Sequence, residues 1–153
     1  MEGQNQRTFI MIKPDGVQRG LIGEIIARFE KKGYKLVAMK FMSPTKEFVE
    51  THYEDLRSKK FFDGLCEYIC SGPVVAMVWE GGSIVEGSRL LIGATNPTTA
   101  SPGTIRGDLC IELGRNLIHG SDMPEAAERE IKHWFADSEL TDSKQVTHDW
   151  IYE

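Results

Sequence analysis

The sequence predicts a single α/β or α+β domain built on about four strands. Short strand-like apolar runs alternate along the chain with segments whose apolar residues recur at helical spacing. A length of 153 residues is enough for one compact domain and short for two, and a hydrophobic fraction of 41% is ordinary for a globular protein. We therefore interpret residues 1–153 as one domain.

The N-terminal third is predicted to form a strand, a helix and a second strand. Residues 8–13 are a β-rich run that ends in a tight turn at residues 13–16. Apolar residues then recur at helical spacing over residues 21–29, and Gly33 supplies a left-handed helix end. Alternation of apolar residues over residues 34–42 indicates the second strand.

The middle of the chain is predicted to hold helices on either side of a buried strand. Helical material opens at residues 43–45 and runs with interruptions to about residue 69. The apolar run within residues 73–79 is typical of a buried central strand. Ser83, followed three residues later by Glu86, has the form of a capping box, which would open a helix through Ile92.

The last third contains a long irregular segment, a short strand and a final helix. Residues 94–110 are rich in Pro, Gly and Thr, and irregular segments of that length are uncommon in small domains unless they are functional. Residues 115–119 are a fourth strand candidate, and a helix over residues 122–135 would begin at Asp122. The tail, residues 136–153, is polar until three late apolar residues that need a surface to pack on.

Charge and cysteine content exclude several classes of protein. A net charge of −5 offers no general attraction for nucleic acid, which we do not expect as a main partner. Three cysteines, Cys66, Cys70 and Cys110, cannot all pair within one chain, which indicates a reducing compartment. Cys66 and Cys70 are four residues apart and would share a helix face, where buried thiols are favoured over a metal clip that would lack two ligands. Residues 1–7 are polar and no run is long enough to span a membrane, so we expect a cytoplasmic protein.

His119 is the strongest candidate for chemistry. An ordinary surface histidine at a strand end is the alternative. Gly120 allows a close backbone approach, and the helix that Ser121 and Asp122 open would point unsatisfied backbone N–H groups toward a phosphate. A neutral imidazole is a nucleophile that can attack phosphorus. The residues therefore indicate a phosphate-binding histidine.

Glu130 is predicted to lie on or beside the core face of the final helix. An unpaired carboxylate there would be costly, so it is either a boundary residue whose head reaches water or a group that meets a specific donor. The imidazole N–H of His119 is the donor that we expect, because such a contact fixes the tautomer and stabilises the cation formed on phosphorylation.

Three cations would supply the positive field that the net charge lacks. Lys13 ends the first strand, Arg89 lies on an apolar-rich helix and Arg106 lies in the long irregular segment. Each alone is typical of a solvated surface charge, and the sequence does not show that they converge. A regular strand would also point Asn116 and His119 to opposite faces, because they are three residues apart.

Taken together, these segments resemble the nucleoside diphosphate kinase family over essentially the whole chain. The resemblance is carried by several motifs in order, namely KPDGVQRG at 13–20, SGPVVAMVWEG at 71–81, NP at 96–97, PGTIRGD at 102–108 and NLIHGSD at 116–122. It implies a ferredoxin-like α+β fold, a four-stranded antiparallel sheet with helices on one face. It also implies transfer of the γ-phosphoryl group from a nucleoside triphosphate, mainly ATP, to a nucleoside diphosphate, with Mg²⁺ on the phosphates.

The resemblance assigns roles to particular residues. His119 matches the phosphorylated nucleophile of a ping-pong mechanism, and Glu130 and Ser121 match the pair that orients it. Phe61 matches the aromatic residue on which the base stacks, which implies broad base specificity. The residues that match phosphate and ribose contacts are Lys13, Tyr53, Arg89, Thr95, Arg106 and Asn116, and the expected neighbours of the base are Leu65 and Leu113. No carboxylate-rich cage is evident, so we expect the metal to be held mainly by the nucleotide, with Asp55 and Asp122 as candidates for contact through its waters.

The ending of the chain resembles that of the hexameric eukaryotic-type members of the family. We therefore expect a hexamer in which residues 137–153 pack on a neighbouring subunit. A catalytically idle nucleotide-binding or regulatory module of the same fold is the alternative function. Such a module would be expected to lack the histidine or an arginine of the set, and here all are present.

Overall fold

The computed structural model describes residues 5–153, so part of the polar N-terminal segment and the first four residues of the predicted domain lie outside it. Within that range the chain forms four strands, eight helices and three single 3₁₀ turns. In chain order the elements are β1 (Gln6–Ile12), α1 (Pro14–Gln18), α2 (Ile22–Lys32), β2 (Lys35–Met42), α3 (Lys46–His52), a turn (Glu54–Leu56), α4 (Phe62–Ile69), β3 (Val74–Gly81), α5 (Ile84–Ile92), α6 (Ile105–Leu109), a turn (Leu113–Arg115), β4 (Ile118–Gly120), α7 (Pro124–Trp134), a turn (Asp137–Glu139) and α8 (His148–Ile151).

The strands form one antiparallel sheet in the order β2-β3-β1-β4. The predicted buried central strand is confirmed, since every residue of β3 is buried and the strand pairs on both sides. β4 pairs with β1 over three residues, with His119 opposite Met11. His119 therefore lies beside an inner strand, although its own strand is at the sheet edge.

Helices cover both faces of the sheet, so the expectation of helices on one face is wrong. Side chains of β1 alternate: Phe9 and Met11 join a core with Trp134 of α7, whereas Ile10 and Ile12 join a second core with Phe29 of α2. This alternation is the period of two that places successive strand residues on opposite faces. Because both faces are covered, each inner strand carries a continuous apolar run, at residues 9–12 of β1 and residues 74–79 of β3.

Helix α2 ends as the sequence indicates. Gly33 has φ 103°, and its N–H bonds back to the carbonyl of Glu30. The expected tight turn at residues 13–16 is instead the short helix α1, with Pro14 in its first turn, where its missing N–H leaves no unsatisfied donor. The irregular segment 94–110 contains helix α6, whose N-terminus is capped by the hydroxyl of Thr104.

The capping box predicted at Ser83 does not form. Ser83 has φ 51°, a left-handed conformation, and makes no side-chain cap. The N–H of Val85 instead donates to Oε1 of Gln6, 3.0 Å away on β1. Helix α7 spans Pro124–Trp134 rather than residues 122–135, with Met123 at the N-cap and Pro124 in the first turn.

The C-terminal tail lies partly on its own chain. The N–H of Thr141 donates to the carbonyl of Val37 at 3.0 Å, and the phenol oxygen of Tyr152 accepts from the N–H of Gly82 at 3.0 Å. Trp150, however, is 90% exposed. Packing of the tail on a neighbouring subunit stays a prediction. Across residues 5–153, none of the helices combines the length and the apolar character that a membrane crossing requires.

Candidate active site

A cavity of about 860 Å³ collects the residues that the sequence singled out. Every predicted site residue except Ser121 lines it, and Ser121 is fully buried next to it. The lining residues that were predicted are Lys13, Tyr53, Asp55, Phe61, Leu65, Arg89, Thr95, Arg106, Leu113, Asn116, His119, Asp122 and Glu130. Residues from nearly all parts of the chain therefore converge on one site.

His119 projects from β4 and is held by Glu130 of α7. Nε2 of His119 lies 2.6 Å from Oε1 of Glu130, and the histidine side chain is 19% exposed. An ionised carboxylate can only accept a hydrogen bond, so the proton of the imidazole sits on Nε2. Nδ1 therefore keeps its lone pair in the neutral ring, as a nucleophile needs.

Glu130 is buried and kept ionised by its neighbours. Its second oxygen, Oε2, accepts a hydrogen bond from the hydroxyl of Ser121 at 2.6 Å. Burial would raise the pKa of the Glu130 carboxyl, but the hydrogen bond and charge of His119, with Ser121 and Arg129, outweigh burial and lower it. The expected core-facing carboxylate thus meets specific donors.

Lys13 is a buried cation at the cavity floor. Its ammonium donates to Oδ1 of Asn116 at 2.7 Å. Burial, together with the nearby charge of Arg106, lowers the pKa of Lys13 to about 8. An anion bound in the cavity would relieve this repulsion, so the pair of buried cations favours a phosphate ligand.

Arg106 is fixed by three backbone carbonyls. Its guanidinium donates to the carbonyls of Gly93 at 3.2 Å, Asn116 at 3.2 Å and Ile118 at 2.6 Å. Burial lowers the pKa of Arg106 to about 10, so the group stays protonated at neutral pH. Arg89, by contrast, is exposed at the cavity wall, where one guanidinium nitrogen lies 3.4 Å from the carbonyl of Gly120.

Asn116 and His119 share the cavity because the chain between them is not a regular strand. β4 begins only at Ile118, and Leu117 has φ 78°. The N–H of Ile118 donates to the carbonyl of Asn116 at 2.9 Å, which closes a γ-turn around Leu117. This γ-turn changes the direction of the backbone, so the alternation rule that separates residues three apart does not apply.

Gly120 lines the cavity and is also needed for packing, whereas its close approach to a ligand stays a prediction. A Cβ built on Gly120 would lie 2.7 Å from the side chain of Ile92 and 3.3 Å from that of Ile10. The absence of a side chain lets α5 lie close to the sheet, and α5 carries Arg89 into the site. That the start of α7 directs its N–H groups at a phosphate stays a prediction.

The outer part of the cavity is apolar and open. Phe61 is 56% exposed and Leu113 is 57% exposed, and both line the cavity with the partly buried Leu65. Exposed apolar side chains at a cavity entrance suit a flat apolar ligand group. The inner part is charged, so the cavity fits a ligand with an anionic end and an aromatic end.

Tyr53 offers a hydrogen-bond donor to a ligand. Burial, with the charge of Glu130, raises the pKa of the Tyr53 phenol, so it stays protonated. Among residues 5–153 its buried hydroxyl has no hydrogen-bond partner, and the side chain lines the cavity. A buried hydroxyl of this kind favours a ligand that can accept its hydrogen bond.

Sequence reasoning missed several lining residues. His52 is buried beside Glu130, and Arg129 pairs with Asp55 at 2.8 Å across the cavity entrance. His52 ends α3 with no motif around it that indicates a site. Arg129 precedes Glu130 on an exposed helix face, where a charge is ordinary. No sequence signal distinguishes these two residues.

His52, His119 and Glu130 place three potential metal-ligand atoms within 4.8 Å of one another. The indole N–H of Trp134 donates to Nδ1 of His52 at 2.8 Å, so the proton of that ring sits on Nε2, the atom facing Glu130. A protonated nitrogen cannot ligate a metal, and Nε2 of His119 is engaged by Glu130. The cluster therefore does not fit a metal ion.

Comparison with known proteins gives one consistent result. A family model described as nucleoside diphosphate kinase matches residues 6–140. The chain is 60% identical to human nucleoside diphosphate kinase B over 148 residues, covering 97% of each, and 62% identical to the nucleoside diphosphate kinase of Synechocystis over 148 residues, covering 97% of this chain and 99% of the relative. A solved halophilic nucleoside diphosphate kinase from Halobacterium salinarum, in complex with CDP, superimposes with a TM-score of 0.95 at 53% identity, covering 97% of this chain and 99% of that one.

Proposed function

The chain belongs to the nucleoside diphosphate kinase family and transfers the γ-phosphoryl group between nucleotides, and from that premise we propose that the group is carried on Nδ1 of His119. The 2.6 Å contact between Nε2 of His119 and Glu130 carries this proposal, because it leaves Nδ1 as the nitrogen with a free lone pair. In the first half-reaction the Nδ1 lone pair forms a bond to the γ-phosphorus. The bond from that phosphorus to the β–γ bridging oxygen breaks, and the diphosphate leaves with the electron pair.

The second half-reaction is the reverse with another nucleotide. A terminal oxygen of a bound diphosphate attacks the phosphorus, the P–N bond breaks, and the electron pair returns to Nδ1. The Nε2 proton of His119 stays in its hydrogen bond with Glu130 throughout, and this carboxylate balances the positive charge of the phosphorylated ring. One site serves both steps, so the kinetics are ping-pong.

Cations at the cavity floor stabilise the charge of the transferring group. Lys13 and Arg106 are buried and fixed by hydrogen bonds, so they need little reorganisation when the phosphates bind. Arg89 is exposed and adds its charge from the cavity wall. Asn116, Tyr53 and Thr95 offer polar contacts for phosphate and ribose oxygens.

Phosphoryl transfer from a nucleoside triphosphate generally needs a divalent metal ion, and we propose Mg²⁺. Mg²⁺ prefers oxygen ligands, and the cavity offers two exposed carboxylates near the phosphate-binding cations, Asp55 and Asp122. Asp55 is already paired with Arg129, whereas the contacts within residues 5–153 give Asp122 no ion-pair partner. These carboxylates suit waters of a metal held mainly by the nucleotide, whose phosphate charge it would neutralise.

The nucleotides themselves are the proposed partners, with broad base specificity. Phe61 and Leu113 offer flat and apolar contact to the base, and stacking accepts every base because each has a π-face. Substrates are nucleoside triphosphates, mainly ATP, and nucleoside diphosphates. Nucleic acid is not proposed as a main partner, since the net charge is −5.

A hexamer in the cytoplasm is the proposed state of the protein. Apolar side chains exposed on the single chain support assembly, most clearly Trp150 at 90% and Val146 at 94%. Cys66, Cys70 and Cys110 are unpaired thiols in the described part of the chain, as expected in a reducing compartment. Light scattering of the purified protein would give the mass, and a monomeric mass would overturn the assembly proposal.

The test of the nucleophile is labelling with γ-labelled ATP and Mg²⁺. Wild type should form an acid-labile, base-stable phosphoenzyme, and added GDP should remove the label as labelled GTP. His119→Ala should not be labelled, whereas His148→Ala, which changes a histidine outside the cavity, should be labelled like wild type. An unlabelled wild type, as the idle-module alternative requires, would contradict the proposal.

A further inference from the structure

Leu117 has a strained backbone conformation next to the nucleophile. It is one of two non-glycine residues with positive φ within residues 5–153, and its side chain is fully buried. A γ-turn with positive φ is the rarer and more strained of the two γ-turn forms, and a bulky residue adopts it only where the surroundings impose it. The surroundings of Leu117 therefore impose this conformation.

The start of α1 contacts both backbone groups of Leu117. The N–H of Lys13 donates to the Leu117 carbonyl at 2.9 Å, and Oδ2 of Asp15 accepts from the Leu117 N–H at 3.1 Å. A Cβ on Gly16 would lie 3.2 Å from the Leu117 carbonyl oxygen, so this part of α1 lies directly against the turn. Of these contacts, the Asp15 contact is made by a side chain and can be removed by substitution.

Asp15 is itself oriented by a second element. Its other oxygen, Oδ1, accepts a hydrogen bond from the phenol of Tyr68 on α4. The guanidinium of Arg115, one residue before Asn116, lies 4.5 Å from the Tyr68 ring centre. Both carboxylate oxygens of Asp15 are thus engaged, and the carboxylate links α4 to the backbone that joins Asn116 and His119.

We propose that Asp15 is a positioning residue for phosphoryl transfer. By accepting the Leu117 N–H it holds the γ-turn, and the turn sets the side chains of Asn116 and His119 into one cavity. Without Asp15 this buried N–H would lack an acceptor, and the turn would relax toward an ordinary strand that separates the two side chains. The proposal rests on the proposed role of His119 and adds a residue that itself does not line the cavity.

The test compares two substitutions at one position. Asn at position 15 keeps an oxygen for the Leu117 N–H and can donate its amide to the Tyr68 oxygen, whereas Ala keeps neither contact. Asp15→Ala should lower kcat/KM for transfer from ATP to GDP by about 10- to 100-fold, because displacing a reacting group by about 1 Å can slow the reaction to that extent. Asp15→Asn should stay within about threefold of wild type, and Asp63→Ala, an exposed acid on α4, should match wild type.

Amide hydrogen exchange distinguishes positioning from a general loss of structure. In Asp15→Ala the Leu117 N–H should exchange faster, while the amides of Ile10 and Val78 in the sheet should keep their wild-type rates. Equal activity in Asp15→Ala and Asp15→Asn, or equal acceleration of exchange in the sheet, would overturn the proposal. Either result would leave the labelling of His119 untouched, so the two proposals fail separately.

Discussion

The indole N–H of Trp134 donates to Nδ1 of His52 at 2.8 Å and so fixes the proton of that imidazole on Nε2. Nε2 lies 3.5 Å from Oε1 of Glu130, and the His52 side chain is 1% exposed. Burial, with the charge of His119 nearby, holds the pKa of His52 well below its usual value. The contact with Glu130 is therefore one between a neutral ring and a carboxylate rather than an ion pair.

His52 should make the free energy of unfolding depend on pH below about 6.5, which is the ordinary pKa of a histidine side chain. In the folded protein His52 stays neutral, whereas in the unfolded chain it gains a proton as the pH falls through that value. The unfolded state then binds the extra proton, so the free energy of unfolding should fall by about 1.4 kcal/mol between about pH 7.5 and about pH 5.5. Urea titrations at several pH values should show this fall in wild type and not in His52→Asn, a substitution that keeps an acceptor for the Trp134 N–H. An identical slope in His52→Asn would contradict the assignment, and His148→Asn is the matched control.

Removal of the Glu130 charge should slow the chemical step more than binding. In Glu130→Gln the phosphorylated ring of His119 has no counter-charge, and we expect phosphoenzyme formation to slow by about 100-fold in a single turnover. Ser121→Ala removes one donor to the carboxylate and should slow it by about tenfold or less. Glu128→Gln changes an exposed residue of the same helix and should have no effect. A rise in KM alone in Glu130→Gln would count against this role.

Lys13 should set the alkaline limit of kcat/KM. Its pKa of about 8 in the free enzyme means that rising pH removes the charge that binds phosphate, so kcat/KM should fall above that pH. In the complex the phosphate favours the protonated amine, so kcat should fall only at a higher pH. Steady-state profiles of both constants would show this separation. Lys31→Gln changes an exposed residue outside the cavity and should keep the wild-type pH profile. If kcat and kcat/KM of the wild type fell at the same alkaline pH, the prediction would be refuted.

Phe61→Ala should weaken the binding of all nucleotides to a similar extent. Stacking contributes about 1–3 kcal/mol per base, so we expect KM to rise by about tenfold or more for adenine, guanine and pyrimidine nucleotides with little change in kcat. A ribose triphosphate that lacks a base should be unaffected. If KM rose for one base and not for the others, Phe61 would be reading the base rather than stacking on it.

The sequence predicts those parts of the site that depend on local periodicity. Helical spacing placed Glu130 on the core face of the final helix, and the structure confirms it as a buried carboxylate. Gly33 ends α2 as expected, because a left-handed helix end depends on one residue and its immediate neighbours. The antiparallel arrangement of the sheet and the convergence of Lys13, Arg89 and Arg106 are instead implied by resemblance to a family, and the strand order is known from the structure alone.

Non-local contacts account for what the sequence does not predict. Ser83 and Glu86 have the spacing of a capping box, yet the acceptor at the start of α5 is Gln6, from another strand. Asn116 and His119 are separated by strand periodicity, yet Asp15, about a hundred residues earlier in the chain, holds the turn that unites them. A contact between distant residues leaves no periodic signal, because its partner is chosen by the folded arrangement and not by spacing.

The cavity combines a closed floor with an open rim. At the floor Lys13, Asn116 and Glu130 are at most 8% exposed and each is held by a hydrogen bond, whereas Phe61 at the rim is more than half exposed. Substitutions at the floor disturb several partners at once, while those at the rim disturb few. The preference among bases can therefore drift, or be engineered, at the rim without loss of the transfer chemistry below it.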